Sequence, residues 1–218
     1  MSNLYNINKL RHIHQNFSKI DNPELEDTLT NIRDYLFLFV NPMIKYVLSS
    51  ANEYEFKKYG FNSCRQTAIF TSYILKEKFN ISINALEINM NDSKFEQNYL
   101  HCVNLGTIKN KDKYIYLTID MSRTINPLLF WITNTPIDSS NFFYPKVDNY
   151  KFIKPLYVNT KFNIEENINN IEYFTGRKAK DVCDEIMNIC DIYYSKNNNN
   201  APSQFFEIYK NYAPYLIL

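Results

Sequence analysis

Glycine is scarce in this sequence, with 3 among 218 residues. Glycine supplies the positive φ angles of tight turns and allows a backbone to approach a phosphate closely. The sequence also contains no glycine-rich loop motif. We therefore expect neither a nucleotide-binding fold nor an architecture that repeats glycine-dependent turns.

An excess of one charge is also missing, because 24 Lys and Arg residues are balanced by 23 Asp and Glu residues, for a net charge of +1. The basic residues are scattered among acidic ones and form no stripe that could follow a phosphate backbone. We therefore expect no nucleic-acid partner.

Long apolar runs are absent as well. No stretch approaches the roughly 18 apolar residues of a membrane-spanning helix, and residues 1–15 lack the apolar core of a secretory signal. The sequence predicts no membrane span, and a protein that is cytoplasmic or exported without a cleaved signal peptide.

Cysteine is sparse and irregularly spaced. No CxxC pair is present, and the spacing is not that of a disulfide framework, so we expect reduced thiols. A zinc site needs its ligands in closer sets, and His12 and His14 do not share a helix face. We expect no metal and no other cofactor. The four cysteines are Cys64, Cys102, Cys183 and Cys190.

Enough apolar material is present for a folded core. Hydrophobic residues make up 45% of the chain, aromatic residues 16% and charged residues 22%, which is the profile of a globular protein and not of a disordered one. The length suits a single folding unit. We expect one domain over residues 1–218 with its core at about 59–122, and the sequence leaves the oligomeric state open.

Helical signals come first along the chain. Asn22 and Pro23, followed by acidic residues, form a helix start. Apolar residues then recur at helical spacing to about Val40, where Pro42 is expected to end the helix, and a second helix is expected over residues 43–54.

A further helix is predicted from Arg65 to Lys78, where apolar side chains cover much of the circumference, so Cys64 falls at a helix N-terminus. Strand patterns follow, and a polar turn at 109–112 joins the last two strands into a hairpin. His101 lies on the first arm of this hairpin and Asp120 at the end of the second. The predicted strands are residues 81–90, 99–105 and 114–119.

The remainder of the chain gives weaker signals. Residues 128–132 fit a strand or a short helix, and one or two strands are expected near 151–158. From Glu165 the pattern is helical, with Gly176 as a C-terminal stop. Two further helices are predicted. The first carries Val182, Ile186, Ile189 and Tyr193 on one face, and the second spans residues 203–212.

Three residues in this arrangement suit a thiol nucleophile. A thiolate attacks a carbonyl, and a helix N-terminus with a nearby imidazolium lowers the pKa of a cysteine enough to supply one. We expect Cys64 to be the nucleophile, His101 its base and Asp120 the acceptor that orients the imidazole. Cys102 should point to the opposite face of its strand, into the core.

The order of these residues resembles that of the transglutaminase-like and papain-like cysteine enzymes, over Tyr59 to Ser122. That superfamily includes protein-crosslinking transglutaminases, peptide N-glycanases, arylamine N-acetyltransferases, and bacterial effector deamidases and proteases. The matching pieces are Asn62-Ser63-Cys64, Ile83-Asn84-Ala85-Leu86-Glu87-Ile88, Leu100-His101-Cys102-Val103-Asn104-Leu105 and Leu117-Thr118-Ile119-Asp120.

The resemblance implies an α+β fold, in which a helical layer carrying Cys64 packs on an antiparallel β-sheet carrying His101 and Asp120. It also implies thiol-dependent acyl transfer on an amide bond, by a cysteine protease, deamidase or transglutaminase with a protein or peptide substrate, and a bacterial effector as one setting. An oxyanion hole would use the backbone N–H of Cys64 and one more donor, from Asn62 or Gln66.

Two departures from the family pattern leave an alternative open. Many members carry Trp directly after the cysteine and two residues after the histidine, where this sequence has Arg65 and Val103. The alternative is a catalytically inactive transglutaminase-like fold that serves as a protein-interaction module.

Overall fold

The computed structural model describes residues 4–10, 13–16, 20–51, 64–92, 97–122, 128–135, 157–161, 177–196 and 200–212. The helices are α1 (Pro23–Tyr35), α2 (Asn41–Ala51), α3 (Cys64–Phe79), α4 (Ala179–Lys196) and α5 (Ser203–Tyr212), with a 3-10 helix at Ile7–Lys9 and a π-helical turn at Leu36–Val40. The strands are β1 (Leu4–Tyr5), β2 (Ile13–Asn16), β3 (Ile83–Asp92), β4 (Gln97–Asn110), β5 (Lys113–Asp120), β6 (Leu128–Thr133), β7 (Tyr157–Lys161) and β8 (Ala201–Pro202).

Six of these strands form one sheet in the order β2-β6-β5-β4-β3-β7. All neighbours from β6 to β7 are antiparallel, and β2 joins β6 in parallel. Strands β1 and β8 pair in a small second sheet. The described chain therefore combines helices with a mainly antiparallel sheet, which is compatible with the predicted α+β class.

Helix α1 begins as its sequence predicts. The side-chain oxygen of Asn22 accepts a hydrogen bond from the N–H of Leu25 at 3.3 Å. Pro23 occupies the first turn, where its missing N–H costs no helical hydrogen bond, and Glu24 and Glu26 lie near the positive end of the helix dipole.

Pro42 does not end the helical segment, so that prediction is wrong. The chain stays helical from α1 through the π-turn into α2. The N–H of Asn41 bonds to the carbonyl of Leu36, five residues back, which makes the turn before Pro42 wider than an α-helical one. A proline ring presses on the carbonyl four residues before it, and the wider turn gives it room. The buried hydroxyl of Tyr209 donates a hydrogen bond to the Phe37 carbonyl in the same turn.

Strands β4 and β5 form the predicted hairpin. They are joined by the two-residue turn Lys111-Asp112, next to the pair Asn110–Lys113. Lys111 has a φ angle of 55°, in the left-handed region that tight hairpin turns use. This turn sets the register of the two strands, and hence which residues meet at their far end.

Helix α3 is enclosed on two sides. Every residue from Thr67 to Leu75 is buried, as the sequence predicts for a helix that is apolar around much of its circumference. One side packs on β3 and β4, and on the other the hydroxyl of Tyr73 donates to the carboxylate of Asp184 in α4 at 2.9 Å. A helix held between a sheet and a second helix keeps its first residue, Cys64, at a defined position.

The other predicted elements have different outcomes. Residues 128–133 form strand β6, which decides between the two alternatives for this stretch. Helices α4 and α5 confirm the last two predicted helices. The helix predicted over 165–176 and residues 151–156 lie outside the described residues. Across the described ranges, no helix has both the length and the apolar character needed to cross a membrane.

Candidate active site

Cys64 is the first residue of α3, as predicted. The first N–H groups of a helix have no intrahelical partner and carry the positive end of the dipole, which favours a thiolate there. The side chain is half-buried and packs against the core. The residue is therefore partly removed from water without being fully enclosed.

His101 and Asp120 meet through the register of the hairpin. The β4–β5 ladder runs as far as the pair Asn104–Ile119. One step further in this register, Asp120 stands opposite Val103, and His101 is its diagonal neighbour on the same face. The distance between His101 Nε2 and Asp120 Oδ2 is 2.6 Å, and the two residues are only 3% and 2% exposed.

Asp120 is fixed through both of its carboxylate oxygens. While Oδ2 faces His101, Oδ1 accepts hydrogen bonds from the backbone N–H of Ser122 at 2.9 Å and from its hydroxyl at 2.6 Å. An aspartate that bonds the backbone two residues later forms an Asx turn. Because both oxygens are engaged, the carboxylate has one orientation, and it holds the imidazole of His101 in place.

The pKa of the Cys64 thiol is lowered to about 4. The largest cause is a hydrogen bond from the side chain of Cys102; burial opposes it, and the hydrogen bond and positive charge of His101, with a backbone hydrogen bond from Cys102, lower the pKa further. This lowering favours the thiolate form of Cys64 at neutral pH. Because Nε2 of His101 is bonded to Asp120, the ring nitrogen that can exchange a proton with Cys64 is Nδ1.

Side-chain hydrogen bonds from Asn104, two residues beyond Cys102 along β4, anchor this strand to α3. The side-chain amide of Asn104 donates to the Ala68 carbonyl and to the Ser72 hydroxyl oxygen in α3, both at 2.7 Å. Cys102 faces the same way as Asn104, about 6.8 Å away along the strand. Cys64 precedes Ala68 by one helical turn, about 6 Å. The anchor therefore holds the Cys102 region of β4 against the first half of α3.

A buried lysine stands beside Asp120. Lys45 in α2 is 2% exposed, and its Nζ atom donates to the carbonyl of Met121 at 3.4 Å. Burial lowers the pKa of Lys45 to about 8, and the negative charge of Asp120 acts in the opposite direction. Helix α2 thus places a cationic group behind the His101–Asp120 pair, where it favours the ionised carboxylate.

Of the two predicted oxyanion donors, Asn62 lies outside the described residues. Gln66 is half-buried, and its Oε1 atom is buried without a hydrogen-bond partner. That atom is an acceptor, whereas an oxyanion needs a donor, which on this side chain is Nε2 alone. The role of Gln66 as a donor stays a prediction, and the helix start supplies the backbone N–H of Cys64.

Sequence reasoning missed three neighbours of the site. Ser122 could have been found from the Asp-x-Ser spacing, which is typical of Asx turns. Lys45 stands in an apolar helical stretch, a pattern that signals a buried charge. Cys102 is buried in the core, as predicted, but the alternation of side chains along a strand does not predict its interaction with Cys64. That interaction depends on how the helix docks on the strand.

The described residues contain no disulfide and no cluster of metal ligands. Within the described ranges, no group of three or more His, Cys, Asp or Glu side chains could hold a metal ion, and all four cysteines are free thiols. Burial raises the pKa of Cys183 and of Cys190, both in α4. Comparison of the chain with protein-family models, with curated proteins and with solved structures gives no match.

Proposed function

We propose that this protein catalyses thiol-dependent acyl transfer on an amide bond of a protein or peptide, with water as the final acceptor. The observation that carries the proposal is the buried hydrogen bond of 2.6 Å between His101 and Asp120, next to a thiol whose pKa lies near 4. A perturbed nucleophile, a base and an oriented acceptor in one cluster are the parts that such a reaction needs.

The first step is attack of the Cys64 thiolate on the amide carbonyl carbon. A bond forms between sulfur and carbon, and the carbonyl oxygen takes up the negative charge. The backbone N–H of Cys64, at the start of α3, can donate to that oxygen, and the positive end of the helix dipole favours the charge.

The second step breaks the carbon–nitrogen bond. Protonated Nδ1 of His101 gives its proton to the leaving nitrogen, so an amine or ammonia departs and a thioester remains on Cys64. The neutral imidazole then takes a proton from water as the water attacks the thioester. The acid is released, the thiolate is regenerated, and Asp120 holds the ring in one orientation throughout.

Hydrolysis is proposed over crosslinking because no feature of the sequence marks a second site for an amine. The resemblance to transglutaminase-like enzymes supports a protein or peptide substrate, but Arg65 and Val103 stand where many of those enzymes have Trp. An activity in the cytoplasm, or as an effector exported without a cleaved signal peptide, fits the same proposal.

An activated ester tests the proposal without knowledge of the substrate. With p-nitrophenyl acetate, we expect an acetyl thioester on Cys64, detected by peptide mass spectrometry, followed by steady release of p-nitrophenolate. Cys64→Ser should abolish both signals. His101→Ala should let the thioester accumulate, because the attacking water then lacks its base.

The matched control is Cys183→Ala, which removes a buried thiol from α4 and should leave both signals unchanged. Slow acetylation of all four cysteines, without turnover and without an effect of His101→Ala, would contradict the proposal. That result would favour the inactive fold that serves as a protein-interaction module.

A further inference from the structure

Two sulfur atoms meet at the N-terminal end of α3, and acyl transfer uses only one of them. We propose that Cys102 is a resolving thiol: a hydroperoxide oxidises Cys64 to a sulfenic acid, and Cys102 condenses with it to an intramolecular disulfide that reversibly switches the site off. This inference goes beyond the proposed function, and it does not require that any amide be hydrolysed.

The proximity of the two sulfurs has two supports. A hydrogen bond from the Cys102 side chain is the largest cause of the lowered pKa of Cys64. Separately, the bonds from Asn104 to Ala68 and Ser72, at 2.7 Å each, hold β4 against the first half of α3, and Cys102 lies two residues from Asn104 on the same face of the strand. The contact is therefore built into the docking of a helix on a strand.

The exposure of the two residues differs in the way that the reaction needs. Cys64 is half-buried, so it is the less enclosed of the two residues, and its thiolate character makes it the reactive one. Cys102 is 3% exposed, so it is shielded from oxidants but in contact with Cys64. Cys183 and Cys190 are buried in α4, where burial favours the unreactive thiol form.

The proposed steps balance in atoms and electrons. The Cys64 thiolate attacks the peroxide, an S–O bond forms as the O–O bond breaks, and the departing alkoxide or hydroxide takes a proton, which the His101 imidazolium can supply. The Cys102 sulfur then attacks the sulfenic sulfur. An S–S bond forms, the S–O bond breaks, and the hydroxide leaves as water with the Cys102 proton. A dithiol reductant returns both thiols by exchange.

The position of Cys64 in the helix favours the movement that the bond needs. A disulfide needs a sulfur separation of about 2.05 Å and a Cα separation of about 4.4–6.8 Å, so the sulfurs must approach from hydrogen-bond distance. Cys64 is the first residue of α3, and a terminal helical residue can move with little loss of helical hydrogen bonding. The product has no thiolate, so the nucleophile is lost until reduction.

The test uses the full-length protein with hydrogen peroxide and non-reducing peptide mass spectrometry. In the wild type we expect a peptide pair joined through Cys64 and Cys102, loss of acidic-pH labelling of Cys64 by iodoacetamide, and full recovery of labelling after dithiothreitol. In Cys102→Ser we expect a Cys64 sulfenic acid that dimedone traps, then sulfinic acid, and no recovery of labelling.

Serine at position 102 keeps a hydrogen-bond donor near Cys64, so the thiolate remains while the resolving sulfur is removed. If the serine variant does not fold, Cys102→Ala also removes the resolving sulfur; because its Cys64 loses the Cys102 side-chain hydrogen bond, we expect slower oxidation to the same sulfinic acid, again without recovery of labelling. Cys183→Ala is the matched control that should behave as the wild type. Equal formation of sulfinic acid at Cys64 in the wild type and in Cys102→Ser, or oxidation without the joined peptide pair, overturns the proposal.

Discussion

The sharpest prediction concerns the rate at which Cys64 reacts with iodoacetamide as the pH changes. An exposed thiol with an ordinary pKa of about 8.5 becomes tenfold less reactive for each unit that the pH falls below that value. Because the pKa of Cys64 is about 4, its thiolate fraction stays near one from pH 5 to pH 8. Its alkylation rate should therefore be nearly constant across that range.

The size of the effect follows from two opposing factors. At pH 5.5 an ordinary thiol is thiolate in roughly one molecule per thousand, which gives Cys64 an advantage of about 10³. A thiolate loses nucleophilicity as its pKa falls, with a slope of about 0.45, so a shift of about 4.5 units costs about 10² in rate. Cys64 should react about tenfold faster at pH 5.5 than a model-peptide thiol of pKa about 8.5, and the two rates should cross near pH 6.5.

The assay is peptide mass spectrometry of partly alkylated protein at intervals from pH 4.5 to 8.5. His101→Ala should move the inflection to higher pH, because the hydrogen bond and positive charge of His101 are lost while burial still opposes the thiolate. Cys183 and Cys190 are internal references, and they should remain unlabelled until the protein is denatured. A Cys64 rate that climbs tenfold per pH unit between pH 5 and 8 would refute the reasoning.

The remaining predictions test the groups around the thiol. Asp120→Ala should lower turnover of p-nitrophenyl acetate by about 10³ to 10⁴ with the far-UV circular dichroism unchanged, and full activity would exclude Asp120 as the orienting group. Asn104→Leu should lower the free energy of unfolding by about 2 to 4 kcal/mol in urea titrations, because the hydroxyl of Ser72 and the carbonyl of Ala68 lose their donor. An unchanged urea midpoint would contradict this expectation. Burial lowers the pKa of Lys45 from 10.5 to about 8. Between these two pH values the Lys45 side chain is therefore mostly neutral in the folded protein and mostly protonated in the unfolded chain. The free energy of unfolding should rise with pH across this window, by at most about 3 kcal/mol from Lys45. Urea titrations of wild type and Lys45→Met should reveal this rise as their difference, since the tyrosines and cysteines titrate in both proteins; parallel curves would refute it.

The local elements could be predicted because their signals are local. The cap at Asn22, the hairpin turn at Lys111 and the strand pattern of β5 each depend on residues within one turn or one strand, and all are confirmed. The helix end predicted at Pro42 was wrong because the energetic cost of a proline within a helix depends on the geometry of the turn before it. A π-turn cannot be recognised from the spacing of apolar residues, since those residues are buried on every side here.

The pairing of His101 with Asp120 could be inferred because a hairpin has a fixed register. Nineteen residues separate the two in sequence, and the turn determines which residues face each other. The parts contributed by other elements could not be inferred in this way. Lys45 is contributed by α2, and Cys102 interacts with Cys64 only because α3 docks on β4. That docking depends on side-chain packing and not on any periodicity.

The site therefore depends on two registers that share one strand. The hairpin turn aligns β5 with β4 and places Asp120 beside His101. Asn104 holds α3 against β4, the strand that carries Cys102. A slip of one residue in the hairpin would move Asp120 to the opposite face of the sheet. A slip of α3 by one helical turn would withdraw the thiol by about 6 Å, beyond any hydrogen bond. Because β4 carries the partner in both alignments, the geometry around Cys64 depends on how α3 and β5 dock on this strand.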